Sequence, residues 1–96
     1  MKTDVIFRKW KDGDIVALFP YEIESGLNFC LSYEHNGQHG RASLDIIKVT
    51  KPAGIAESEF LKKELESLGY DLNVVKRVRY HKRAAAELQK LKEALK

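Results

Sequence analysis

Residues 27–41 read L-N-F-C-L-S-Y-E-H-N-G-Q-H-G-R. Leu27, Phe29, Leu31 and Tyr33 alternate with Asn28, Cys30, Ser32 and Glu34, the period-2 pattern of a strand with one buried face. The strand runs into a turn that holds two glycines and two histidines. Asn36-Gly37 marks a tight reversal, because glycine takes a positive φ without a Cβ clash. Gly37 or Gly40 is therefore expected in that region of backbone space.

Upstream, residues 4–10 (D-V-I-F-R-K-W) and residues 15–19 (I-V-A-L-F) are two further strand-like runs. Asp12-Gly13 between them predicts a hairpin. Pro20, which cannot donate to a ladder, is expected to end the second strand, with residues 21–26 as a polar loop. Downstream, residues 43–49 carry Leu44, Ile46, Ile47 and Val49 and form a short helical turn or a fourth strand; the segment is too short for periodicity to decide. Lys51-Pro52-Ala53-Gly54 reads as a break, with Gly54 able to cap the next helix.

Residues 55–68 predict the main helix, with Phe60, Leu61, Leu65 and Leu68 on one stripe and Gly69 as its left-handed terminator. In residues 70–80, Leu72, Val74, Val78 and Tyr80 share one parity and Arg77 and Arg79 the other, which predicts a strand. Residues 81–96 form a second helix whose stripe of Ala84, Leu88, Leu91 and Leu95 is thin. The expectation is an α+β fold: a two-layer, mainly antiparallel sheet in β-β-β-α-β order, one packed helix and a C-terminal basic helix. Residues 1–80 make the single domain and residues 81–96 the basic amphipathic helix.

A chain of 96 residues can bury one modest core without disulfides or metal. A single Cys excludes an intramolecular disulfide and suits a reducing cytoplasm, the expected location. No apolar run is long enough for a membrane span, and the opening residues lead into a strand rather than a signal peptide. The net charge of +3 is unevenly distributed. Residues 76–96 carry eight Lys and Arg against two Glu, whereas residues 1–75 carry nine against twelve Asp and Glu. A local cationic segment points to an anionic partner, nucleic acid or an acidic protein, and is equally compatible with a solvated helix.

Several strings resemble a group of small uncharacterised bacterial and phage-associated proteins: Asp4-Val5-Ile6-Phe7-Arg8 with Trp10, Gly13-Asp14-Ile15 with Ala17-Leu18-Phe19-Pro20, Gly37-Gln38-His39-Gly40, and Glu64-Leu65-Glu66-Ser67-Leu68-Gly69-Tyr70. The resemblance spans residues 4–80. It implies a compact standalone protein of mobile-element origin. That group carries no established activity, so no catalytic or binding residue follows from it.

The strongest binding candidates are Arg77, Arg79, Tyr80, Lys82 and Arg83, where cationic and aromatic side chains interleave as phosphate contact and base stacking require. The opposing reading is a strand edge kept soluble by charge. His35 and His39 are candidates at the turn, either as a general base or as side chains bonding backbone in a Gly-rich reversal. Cys30, His35 and His39 have metal-ligand residue types. Cys30 and His35 nevertheless fall on opposite strand faces, and no second cysteine exists, so no metal and no cofactor are expected. The G-Q-H-G string lacks the spacing and Lys-Ser/Thr pair of a phosphate loop. Ser32, Ser43 and Cys30 sit in no nucleophile motif. The expectation is a non-enzymatic binding module acting through the basic segment. The alternative is a protein-interaction adaptor or homodimeric regulator, pairing through Leu88, Leu91 and Leu95.

Overall fold

The computed structural model describes residues 2–24, 28–35 and 37–95. Leu27 and Asn36, invoked above for the third strand and its reversal, and Gly26 beside them, lie outside the described residues. Among the described residues, six strands, one 3-10 helix and two α-helices follow in order: β1 (Thr3–Lys9), β2 (Ile15–Ile23), β3 (Phe29–Glu34), β4 (Gln38–Ser43), the 3-10 helix (Leu44–Lys48), β5 (Lys51–Pro52), α1 (Ile55–Ser67), β6 (Leu72–Val74) and α2 (Tyr80–Ala94). The sheet runs β4-β3-β2-β1-β5 with antiparallel neighbours, and β6 lies parallel to the start of β1. The α+β class and the mainly antiparallel sheet are as the sequence predicts.

The β1–β2 and β3–β4 connections use the same device. Gly13 N–H donates to the Trp10 carbonyl and Gly37 N–H to the Glu34 carbonyl, each at 3.0 Å. The two glycines have φ of +96° and +85°. A three-residue loop ending in a left-handed residue matches the twist of the strands that it joins. Gly40 is not at positive φ, because it lies inside β4 opposite Ser32. The Gly-rich stretch is thus a turn only as far as Gly37.

Odd-numbered residues Val5, Phe7, Ile15, Ala17, Phe19 and Tyr33 line one face of the sheet and pack with Leu61 and Leu65 of α1. Even-numbered Ile6, Val16 and Leu18, with Cys30, line the other, covered by Ile46 and Ile47 of the 3-10 helix and by Val75 and Val78. Because both faces are covered, residues 15–19 read as an uninterrupted apolar run. Of the predicted α1 stripe, Leu61 and Leu65 are buried, whereas Phe60 and Leu68 are 51% and 57% exposed. Glu57 Oε1 accepts the Gly54 N–H at 2.9 Å and caps the helix start. Gly69, at φ +105°, ends the helix as expected.

Three expectations need correction. Pro20 does not end β2. The register passes from Phe19↔Leu31 to Ile23↔Cys30, so Pro20, Tyr21 and Glu22 bulge out of the ladder, where a missing N–H costs nothing. The strand predicted over residues 70–80 shrinks to Leu72–Val74, and Tyr80 opens α2 instead, so Arg77 and Arg79 share no strand face. Finally, residues 51–54 are not only a break: Lys51 and Pro52 pair with Lys9 and Arg8.

Two buried arginines fasten these parts together. Arg8 donates from Nε to Thr50 Oγ1 (3.0 Å) and from Nη2 to the carbonyls of Ile47 (2.9 Å) and Thr50 (2.6 Å), anchoring the segment between the 3-10 helix and β5. Arg83, only 4% exposed, holds α2 against β2. Its Nη1 donates to the Pro20 carbonyl, its Nη2 to the Phe29 carbonyl, both at 2.9 Å, and its Nε to Glu87 at 2.8 Å.

Candidate functional site

The bulge at Pro20 organises a polar cleft. Leaving the ladder turns the Pro20 carbonyl and the Tyr21 side chain toward the start of α2. Arg79 N–H donates to Tyr21 Oη at 2.9 Å, and Lys82 Nζ stands 4.6 Å from the centre of the Tyr21 ring. Asp4, at the start of β1, accepts from Asn73 Nδ2 on β6 and from Lys82 Nζ, both at 2.9 Å. Residues from β1, β2, β6 and α2 thereby enclose a cleft of about 540 Å³, lined by Asp4, Tyr21, Asn73, Lys76, Arg77, Arg79 and Lys82 with Val75 and Val78.

Its electrostatics are one-sided. The Asn73 amide and then the Lys82 ammonium, with a further contribution from Arg79, hold the Asp4 carboxyl below its ordinary range, although partial burial opposes them. Asp4 therefore stays ionised and neutralises Lys82. Arg79 acts on the same carboxylate only through space, without an ion pair, while Lys76 and Arg77 have no such partner among the described residues. Among the described residues, Lys76 and Arg77 make no side-chain hydrogen bond or ion pair. The start of α2 adds to the field, since Arg79 caps it without a side-chain acceptor and its first turn has no acidic residue.

Of the residues singled out from sequence, Arg77, Arg79 and Lys82 meet in this cleft. Tyr80 does not line it; it follows Arg79 as the first residue of α2 and is 82% exposed. Arg83 is removed from any surface, because all three of its nitrogens are hydrogen-bonded inside the fold. Tyr21, Asp4 and Asn73 were missed. Tyr21 follows a proline in a polar stretch that reads as a loop, and the pairing of Asp4 with Asn73 depends on a parallel strand 69 residues away that periodicity does not reveal.

The two histidines line different clefts. His35 borders a space of about 210 Å³ with Trp10, Asp14, Ile15 and Glu34, and its ring lies edge-on to Phe60 at 5.8 Å. His39 belongs to β4, not to the turn. Its Nε2 lies 2.8 Å from Tyr70 Oη, and its ring sits among Tyr33, Phe19 and Tyr70. Burial raises the pKa of Tyr33, with the Glu64 carboxylate adding to it, and burial likewise raises that of Tyr70. Both phenols stay protonated, so neither supplies a base. Cys30 projects to the opposite sheet face, and burial pushes its thiol up to about 11, which leaves an unreactive neutral thiol.

Leu88, Leu91 and Leu95 on α2 are 52%, 55% and 77% exposed. Among the described residues, no helix is long and apolar enough to cross a membrane. No protein-family model, curated protein or solved structure matches the chain.

Proposed function

We propose that this chain is a binding module, not an enzyme, and that it holds the phosphate backbone of a nucleic acid in the cleft between β6 and the start of α2. One observation carries the reading: Lys76, Arg77, Arg79 and Lys82 converge on one cleft with the Tyr21 ring in its wall. Cations spaced along a groove with an accessible aromatic beside them suit a phosphodiester with a base stacked next to it, and exposed Tyr80 is the available stacking surface. The non-enzymatic half is supported by the separation of His35 from His39, which line different clefts and so do not act as a pair.

The test is fluorescence anisotropy with a labelled single-stranded DNA of mixed sequence. With Lys82 neutralised by Asp4, three cations remain to displace counterions. The logarithm of affinity should therefore fall with the logarithm of salt at a slope of about −2, or about fifteenfold between roughly 50 and 200 mM. The double substitution Arg77→Glu and Arg79→Glu should abolish the interaction. Undetectable binding at about 100 μM protein in low salt, or binding that the double substitution leaves unchanged, would refute the reading.

A further inference from the structure

We infer a second interaction surface, separate from the basic cleft: the exposed leucine stripe of α2, which takes the same stripe of a second copy of this chain in a short parallel coiled coil. The start of α2 is fastened to the body. Arg83 is buried, Glu87 holds its guanidinium, and Arg79 and Lys82 are bonded to Tyr21 and Asp4. The last two turns are not fastened in this way. Every residue from Leu88 to Leu95 is exposed, whichever side of the helix it occupies, so no face of that segment docks on the sheet. A helix that packs on nothing is marginal in water, because an apolar face laid on a neighbour supplies most of its stability.

The stripe has the spacing of a helix–helix seam. Ala84, Leu88, Leu91 and Leu95 follow at intervals of four, three and four, the alternation of the two apolar positions in a heptad. All four are exposed. At about 3.6 residues per turn, the centre of the stripe lies roughly 110° around the helix from Arg83. The body, which holds Arg83, therefore stands to one side of the stripe and leaves it open to a neighbouring helix.

The charges beside the stripe select the occupant and its direction. Glu87 flanks the leucines on one side and Lys92 on the other. In a parallel pair, the residue just before the first apolar position of a heptad meets the residue five further along the other helix. Glu87 of each copy then meets Lys92 of the other, and the two-fold axis makes two opposite-charge pairs. Glu87 gives Oε1 to Arg83 Nε and its side chain is 33% exposed, and a carboxylate has a second oxygen to accept from the lysine. In an antiparallel pair that stacks the same apolar residues, Glu87 meets Ala94 and Lys92 meets Ala85, so no charge pair forms. An anionic membrane surface fits less well, since a carboxylate holds one flank of the stripe where lysines would face the headgroups.

Sedimentation equilibrium of the full chain from about 20 μM to about 1 mM reads the association, which is weak because the seam is smaller than a standard interface. The expected result is a monomer–dimer equilibrium. Leu91→Asp, at an exposed position, should keep the parent's melting temperature in dilute solution and stay monomeric throughout that range. Lys92→Glu, which makes both charge pairs repulsive, should weaken association about tenfold. Oxidation reads the direction. Leu88→Cys copies, whose thiols face each other across a parallel seam, should link faster than Glu93→Cys copies, whose thiols lie on the far side of the helix; Cys30 is buried and takes no part. A parent that stays monomeric, association that Leu91→Asp or Lys92→Glu leaves unchanged, or equal rates of linking would overturn the inference. So would binding to vesicles of anionic phospholipid by a chain that stays monomeric, which would give the stripe to a membrane surface.

Discussion

Arg83→Met separates a structural cation from a functional one. In the folded chain the Arg83 guanidinium is the donor to the Pro20 carbonyl and one of two donors to the Phe29 carbonyl, which also accepts the Glu24 N–H at 3.3 Å. Methionine keeps most of the stem volume but donates nothing. The Pro20 carbonyl would then be stranded under α2 at a cost of about 1–3 kcal/mol, with the lost charge-assisted bond to Phe29 adding about 1 kcal/mol. Glu87, partly exposed, can turn to water. The expected destabilisation is therefore about 2–4 kcal/mol, a large fraction of the 5–15 kcal/mol typical of a domain. For a chain of this length each kcal/mol lowers the melting temperature by about 4–8 °C. Urea unfolding followed by circular dichroism measures it, and DNA binding at a temperature below the variant's transition supplies the second reading. Destabilisation with affinity close to the parent's is the expected pair of results. A variant that loses less than about 1 kcal/mol but loses DNA binding would refute the reasoning and return Arg83 to the phosphate-contacting set.

Two further outcomes follow from the fold. Gly37→Val should destabilise by about 1–3 kcal/mol through backbone strain alone, because a Cβ there meets no atom within 4 Å while φ is +85°. Gly40→Ala, at ordinary φ with its nearest neighbour Ser32 Oγ at 3.4 Å, should change thermal stability little; equal losses at the two positions would contradict the hairpin geometry. The Asp4 pKa is depressed in the fold, so its contribution is fully present above the unfolded value of 3.8 and is lost as pH falls through the folded value. Urea unfolding across that window should show the loss, and Asn73→Ala, which removes the largest cause of the depression, should flatten it.

The legible parts of this fold are those in which burial and periodicity agree. The β1–β2 hairpin, β3 and α1 follow from runs with one consistent pattern, and Gly13 and Gly69 punctuate them. β4 was not legible because an exposed edge strand has no apolar alternation: Q-H-G-R-A-S reads as a turn until its pairing with β3 is known. Pro20 misled for a related reason. Proline excludes a ladder position but not a strand, and only the offset between Phe19 and Ile23 shows the difference. In the 70–80 segment, alternating parity continues past Val74 although pairing with β1 ends at Val5, beyond which Ala53 and β5 occupy the β1 edge. The site was half legible. The sequence shows where cations cluster but not which of them face inward, because the acceptors that bury Arg83 lie 54 and 63 residues away.

The buried arginine and the basic cleft share one cause. Had β2 continued in register past Phe19, the Pro20 carbonyl would point into a ladder and Tyr21 would lie on a sheet face. The bulge instead gives α2 a carbonyl for Arg83, a hydroxyl for the Arg79 N–H and an aromatic ring for Lys82. Docking α2 thus spaces the remaining cations. Arg83 goes inside, Lys82 is tied to Asp4, and Lys76, Arg77 and Arg79 are left along the cleft. The +6 surplus that residues 76–96 show as sequence overstates what a phosphate backbone would meet, since docking withdraws two of those charges and Lys90 and Lys92 lie further along α2. Under the proposed function, affinity is coupled to the integrity of the helix dock. Any substitution that loosens the Pro20 bulge should reduce stability first and binding only as the cleft loses its shape.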